Sequence, residues 1–142
     1  MPTISTDKSR LDVDVIHRFL SEESYWAKGI PRAIVERAIE HSLCFGAYDD
    51  DGAMIGFARA VTDYAVFAYV GDVFVLPAAR GKAVSKAIMA AIRSHPELQS
   101  LRRWHLLTHD AHGLYAQFGF TAPKRPETLM ERYVADIYAA AR

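Results

Sequence analysis

Apolar residues at Leu11, Val15, Ile16, Phe19 and Leu20 recur at helical spacing and predict an amphipathic helix over Leu11–Glu22. Residues 3 to 5 leave room for a short strand before it. Ser21 to Pro31 reads as a loop, and Pro31 suits the first turn of a second helix running to about His41, with Ile34, Ala38 and Ile39 expected inside. Three apolar runs follow, each of strand length: Leu43–Tyr48, Met54–Val61 and Val66–Leu76. The first two are joined by Asp49-Asp50-Asp51-Gly52, whose Asp-Gly pair favours a hairpin turn. Asp63 and Tyr64 mark the second turn, and Pro77 ends the third run because proline cannot donate to a ladder.

The period then changes. Val84, Ala87, Ile88, Ala91 and Ile92 share one face of a helix, and Trp104–Thr108 reads as another buried strand. Asp110 suits an N-cap, Ala111–Phe118 makes about two helical turns, and Gly119 is a helix-stopping residue. Pro123 and Pro126 argue for a loop, after which Leu129–Val134 is expected as a last strand and Asp136–Ala141 as a terminal helix. Hairpin-linked strands followed by strand-helix-strand-helix give an α/β fold: one domain over residues 1–142, with a mixed, mostly antiparallel sheet flanked by helices.

Composition narrows the function. The chain is 51% hydrophobic over 142 residues, enough for a real core. Its 17 basic and 17 acidic residues cancel, which argues against nucleic acid as a partner. No apolar run approaches the roughly 20 residues of a membrane span, and the polar start Met-Pro-Thr-Ile-Ser-Thr lacks a signal-peptide layout. A cytoplasmic protein without a membrane partner is expected, with a homodimer left open. The lone cysteine, Cys44, lies between Leu43 and Phe45 and reads as an inert core thiol rather than a nucleophile.

The chemistry concentrates at Arg80-Gly81-Lys82, between the long strand and its helix. A helix start carries unpaired N–H groups and partial positive charge, so it can hold an anion. Gly81, Ala83 and Ser85 would let a phosphate reach the backbone, with Arg80 and Lys82 adding charge. An ordinary strand-to-helix connection fits the same residues. A second stretch, Leu114-Tyr115-Ala116-Gln117-Phe118-Gly119-Phe120, changes the balance.

In this order and spacing, the two stretches resemble motifs A and B of the GNAT superfamily of acyl-CoA-dependent N-acyltransferases. Motif A is a strand, Arg/Gln-x-x-Gly-x-Gly/Ala, then a helix, here Arg80-Gly81-Lys82-Ala83-Val84-Ser85; Ala83 and Ser85 stand where members usually have Gly and then Gly or Ala. Motif B ends in Leu-Tyr-x-x-x-Gly-Phe, and Thr108 replaces the Asn that many members carry seven residues before its tyrosine. The likeness covers roughly residues 42–122.

The resemblance implies acetyl-CoA as co-substrate, without a metal, and transfer to a primary amine of a small molecule or peptide by direct attack in a ternary complex. A coenzyme-binding module that senses or scaffolds without turnover is the alternative. Coenzyme binding is implied for Phe74 and Val75, whose backbone would pair with the pantetheine arm, for Arg80, Gly81, Lys82, Ala83, Val84 and Ser85, and for Thr108. Tyr115 is implied as general acid: a phenol near pKa 10 can protonate a thiolate whose conjugate acid lies near 8.5. A half-buried structural aromatic is the plain reading of the same residue. Asp72, on the strand bordering the coenzyme, is the candidate base, with Glu22, Glu23 and Asp63 as other carboxylates near the acceptor side. Tyr25 and Trp26 sit in the loop where the family places its acceptor-facing residues, either as a wall for the amine or as a core plug. His109 and His112 have i, i+3 spacing but no accompanying cluster to suggest a metal.

Overall fold

A computed structural model of the chain describes residues 2–139. Among them, five strands form one sheet in the order β1-β2-β3-β4-β5: β1 Thr3–Ser5, β2 Leu43–Tyr48, β3 Met54–Thr62, β4 Phe67–Val75 and β5 Arg103–Leu106. Neighbours are antiparallel except β4 and β5, which run parallel and are joined through the helix α3, Val84–Ser94. The β2–β3 hairpin closes as its sequence predicts: Gly52 takes φ +85° and the Asp49 carboxylate accepts the N–H groups of Asp51 and Ala53.

Helices cover both faces of the sheet. On one side lie α1, Val13–Arg18, extended by a wide π turn over Phe19–Glu23, and α2, Arg32–Glu40. Ile16, Phe19, Leu20, Val35 and Ile39 pack there against Cys44, Phe57 and Phe74. On the other side, Val84, Ile88, Met89 and Ile92 of α3 bury against Phe45, Ala47, Ala58 and Ala60. The short helix α4, His112–Ala116, joins this second layer through Tyr115.

A bulge in β4 sets the site. Phe57 pairs with Phe74, yet Arg59 pairs with Gly71, so one residue of β3 stands opposite two of β4. Asp72 absorbs the extra residue at φ +53°, a left-handed conformation that aspartate tolerates better than most side chains. Because side chains alternate across a strand, one inserted residue swaps the faces of everything beyond it. Phe74 thereby joins Phe57 on the α1 side and stacks on Phe19, with centroids 4.1 Å apart and planes 11° from parallel. Beyond Val70, moreover, β4 leaves its partner, since the β5 ladder stops at Leu106.

Three expectations need correcting. Ile34 points outward at 43% exposure and Ala38 is half-buried, while Val35 takes the inner position beside Ile39, because the helix starts at Arg32 and turns its Val35–Ile39 stripe to the sheet. Asp110 does not cap α4; the N-cap is Ala111, whose N–H is bound by the Thr108 hydroxyl at 3.1 Å. Leu129–Val134 forms no strand. After the short turn Pro126–Thr128 it runs exposed, with Met130 92% accessible, and Glu131, Tyr133 and Tyr138 lie along the central cavity instead of pairing with β5. Of the expected terminal helix, residues 136–138 form a turn, and residues 140 and 141 lie outside those described.

Phe74, 4% exposed, holds the bulged strand to the α1 layer. Phe74→Ala is expected to lower the unfolding free energy by about 3–5 kcal/mol, measured by urea denaturation. A loss within the range of an exposed substitution would contradict the packing described.

Candidate active site

The gap between bulged β4 and the end of β5 opens into a cavity of about 730 Å³. Gly71, Asp72 and Val73 form one wall, and Leu107, Thr108 and His109 the opposite one. Because the gap interrupts the sheet, residues from both layers reach the same space: Tyr25 and Trp26 from the α1–α2 loop, and Tyr115 from α4. The hydroxyl of buried Ser24 shapes that loop, donating to the Leu20 carbonyl at 2.6 Å and accepting from the Ala27 N–H at 3.0 Å. This leaves Tyr25 and Trp26 outside the core, at 59% and 40% exposure. Tyr25 meets Trp26 edge-on at 5.0 Å and lies 4.8 Å from the His109 ring across the cavity.

Tyr115 is 8% exposed and packs edge-on against Phe120. Burial pushes its phenol above the ordinary value, and the nearby Tyr25 and Asp110 push the same way. The neutral, proton-bearing form is therefore favoured.

Asp72 is engaged on both oxygens. Oδ1 accepts the Trp26 indole N–H at 2.8 Å, and Oδ2 accepts Arg59 Nε at 2.6 Å. Arg59 also donates to the Ser42 hydroxyl at 3.1 Å. Sequence reasoning missed Arg59, although a signal was there. It is the sole charge in Met54–Thr62, as Asp72 is in Phe67–Val75, and a lone cation and a lone anion in adjacent apolar strands suggest a pair.

Just past the C-terminal end of β4, the chain turns through Pro77–Ala79 into the start of α3. Gly81 takes φ +79°, and Ala83, the N-cap, takes φ +61° with no side-chain cap. The first N–H groups of α3 are thus left without a side-chain cap, and the first turn carries no acid. Arg80, Gly81, Lys82 and Ala83 are exposed, Ser85 is half-buried, and Val84 is turned into the core. Arg80 Nε donates to the Val75 carbonyl at 3.1 Å, tying loop to strand. Small residues, left-handed backbone and two cations at a bare helix start fit a pyrophosphate.

Other candidates are used structurally. Asp63 holds the β3–β4 turn by accepting the N–H groups of Ala65, Val66 and Phe67, which keeps its carboxyl below the usual range. Glu22 and Glu23 are exposed and lie off the cavity. Among the described residues, no three His, Cys, Asp or Glu side chains gather as a metal site.

Residues 40–122 match the family described as the acetyltransferase (GNAT) domain. The chain belongs to the GNAT family. A crystal structure from Xanthomonas campestris pv. campestris, described as a GNAT-family candidate acetyltransferase, is 57% identical, with a TM-score of 0.95 over 98% of this chain and 97% of that one. A Gibberella zeae protein named as a candidate acetyltransferase is 29% identical over 136 residues, 80% of this chain and 75% of that protein. The fold is shared with a Mycobacterium tuberculosis protein solved in complex with CoA and NLQ, at 23% identity and a TM-score of 0.66 over 84% of this chain and 72% of that one. The protein is thus an acetyltransferase of a family that binds acetyl-CoA. No helix among the described residues is long and apolar enough to cross a membrane.

Cys44 is 1% exposed, and burial pushes its thiol up to about 11. At pH 8 roughly one thiol in a thousand is then ionised. Native protein is expected to resist iodoacetamide at pH 8 and to label fully in denaturant, read by mass spectrometry; rapid native labelling would refute the burial.

Proposed function

We propose that the protein transfers an acetyl group from acetyl-CoA to a primary amine of a small molecule or peptide, by direct attack while both are bound. The observation that carries this is the gap between β4 and β5, with buried Tyr115 along its wall; the chain that leaves β4 then enters the bare start of α3. The coenzyme supplies a thioester-activated acetyl group. The chain does the rest.

The loop from Arg80 to Ser85 would hold the pyrophosphate through backbone N–H groups, with the charges of Arg80 and Lys82. Backbone groups at Phe74 and Val75 would pair with the pantetheine amides as a neighbouring strand does, and one N–H would polarise the thioester carbonyl. Thr108, whose hydroxyl caps Ala111, shapes the opposite wall. Tyr25 and Trp26 would wall the acceptor amine; their exposure supports this over a core plug. As the C–N bond forms and the C–S bond breaks, Tyr115 would give its proton to the leaving sulfur, while the nitrogen's surplus proton passes to water in the open cavity. Tyr115 would then regain a proton from solvent.

Three outcomes follow. Ser85→Glu places bulk and negative charge against the anion site, yet an acid in the first helical turn favours the helix. Calorimetry should show acetyl-CoA affinity reduced by about tenfold or more with an undiminished melting temperature; equal affinity would reject the loop's role. Tyr115→Phe preserves the ring, so turnover should fall by about 10²–10⁴ with little change in stability, measured by steady-state thiol release. A rate within a few-fold of the parent enzyme would show that Tyr115 is not the acid.

The third outcome is a pH profile. Tyr115 acts in its protonated form, and its pKa is raised from about 10. Its activity is therefore kept below that value and lost only above it. The acceptor ammonium must lose a proton, so the rate should climb with pH up to about 10 without an earlier decline. A fall between neutrality and pH 9 would contradict the assignment.

A further inference from the structure

Trp26 sits in a loop and is 40% exposed, so packing alone does not fix its indole. Its neighbours are Tyr25, itself largely exposed, and Phe19 at 6.5 Å. What holds the ring's polar edge is the Asp72 carboxylate, 2.8 Å from Nε1. That carboxylate is in turn held by Arg59, and Arg59 by the hydroxyl of buried Ser42. The side chains of Arg59 and Asp72 are only 21% and 13% exposed. The chain of contacts thus runs from the start of β2, through the middle of β3, across the β4 bulge and out to the α1–α2 loop.

We infer that Arg59 is a positioning residue for acceptor selection: acting through Asp72, it fixes Trp26 as a wall of the amine site, and Asp72 serves as the anchor rather than as the base. The acceptor part of this inference rests on the acetyl-transfer reading above.

Each link has a physical reason. Each Asp72 oxygen is turned to a donor, Oδ1 to the Trp26 indole and Oδ2 to the Arg59 guanidinium, which directs the carboxylate to those two side chains rather than to an incoming amine. A half-buried carboxylate needs a partner, and the register places Arg59 directly opposite Gly71, one residue from Asp72, so guanidinium and carboxylate meet across the bulge. The left-handed Asp72 backbone turns the side chain out of the strand's alternation, toward the α1 face where Trp26 lies. Take away the cation, and the carboxylate is drawn toward water and loosens its hold on the indole. Among the described residues, none of the hydrogen bonds that link Ser42, Arg59, Asp72 and Trp26 involves Arg80–Ser85, so acetyl-CoA affinity should be untouched.

The test uses two readouts. Trp26 and Trp104 are the protein's two tryptophans, so Trp104→Phe makes Trp26 the sole indole reporter. In that background Arg59→Met and Asp72→Asn should each raise acrylamide quenching of Trp26 well above the parent. Arg59→Lys, which keeps the cation, should restore part of the protection. In the kinetic arm, run in the native background, Arg59→Met and Trp26→Phe should raise the KM for the best amine of a panel by up to about tenfold. Their acetyl-CoA affinity and kcat should stay within a few-fold.

Unchanged quenching in both Arg59→Met and Asp72→Asn overturns the anchor. Increased quenching with unaltered amine KM overturns the role in acceptor selection. A collapse of kcat in Asp72→Asn with unchanged KM restores Asp72 as the base. Should Arg59→Met fail to fold, Asp72→Asn and Trp26→Phe decide the two arms. The quenching arm needs no turnover, so a failure of the acetyl-transfer reading would appear separately, as absence of acetylated product from the parent enzyme with every amine tested.

Discussion

The structure depends on one inserted residue in β4. At Asp72 the strand takes an extra step at positive φ, and three things follow. The faces of the strand exchange, so Phe74 packs under α1 against Phe19 and Phe57. The ladder to β5 ends at the pair Val70 and Leu106, so the sheet parts there. The Asp72 carboxylate leaves the alternating pattern and becomes available to Arg59 and Trp26. An unbroken strand of the same composition would continue the ladder and close the space that the site occupies.

The gap explains how a small domain can bring its chemistry together. A continuous sheet keeps residues on its two faces apart, whereas here the aromatics of the α1–α2 loop and Tyr115 of the opposite layer share one cavity. The bare helix start lies just past the C-terminal end of the same strand, so one length of chain, Phe67 to Ser94, supplies the split wall, the uncapped helix start and the crossover. Membership of the GNAT family makes the protein an acetyltransferase, and the Arg59–Asp72–Trp26 contacts tie the loop at one side of the cavity to the β4 bulge.

Much of this was legible in the residues. Apolar runs gave β2, β3 and β4 to within a residue or so, the Asp51-Gly52 pair gave the hairpin, and the shift to a 3.6-residue period gave α3. The family could be read because glycine, cations and a Leu-Tyr-x-x-x-Gly-Phe spacing leave a local trace. The bulge left none: Asp-Val-Phe-Val reads as continuous strand, and only pairing with β3 shows that a residue has been inserted. The choice of Val35 over Ile34 likewise depended on how α2 is rotated against the sheet, which two adjacent apolar residues do not decide. The tail misled for a related reason. Leu129 to Val134 has strand composition, but a strand exists through its ladder, and here the segment runs exposed along the cavity without one.

On the proposed reaction, the parted strands and the start of α3 would form a single coenzyme site. Backbone amide shifts in ¹⁵N-labelled protein titrated with coenzyme A test it most directly. The largest changes are expected at Phe74, Val75 and the amides from Gly81 to Lys86, with β1 and the Asp49–Gly52 turn unmoved. Changes centred instead on the groove between Arg10–Val15 and Gly52–Met54, at the far end of the hairpin, would contradict it.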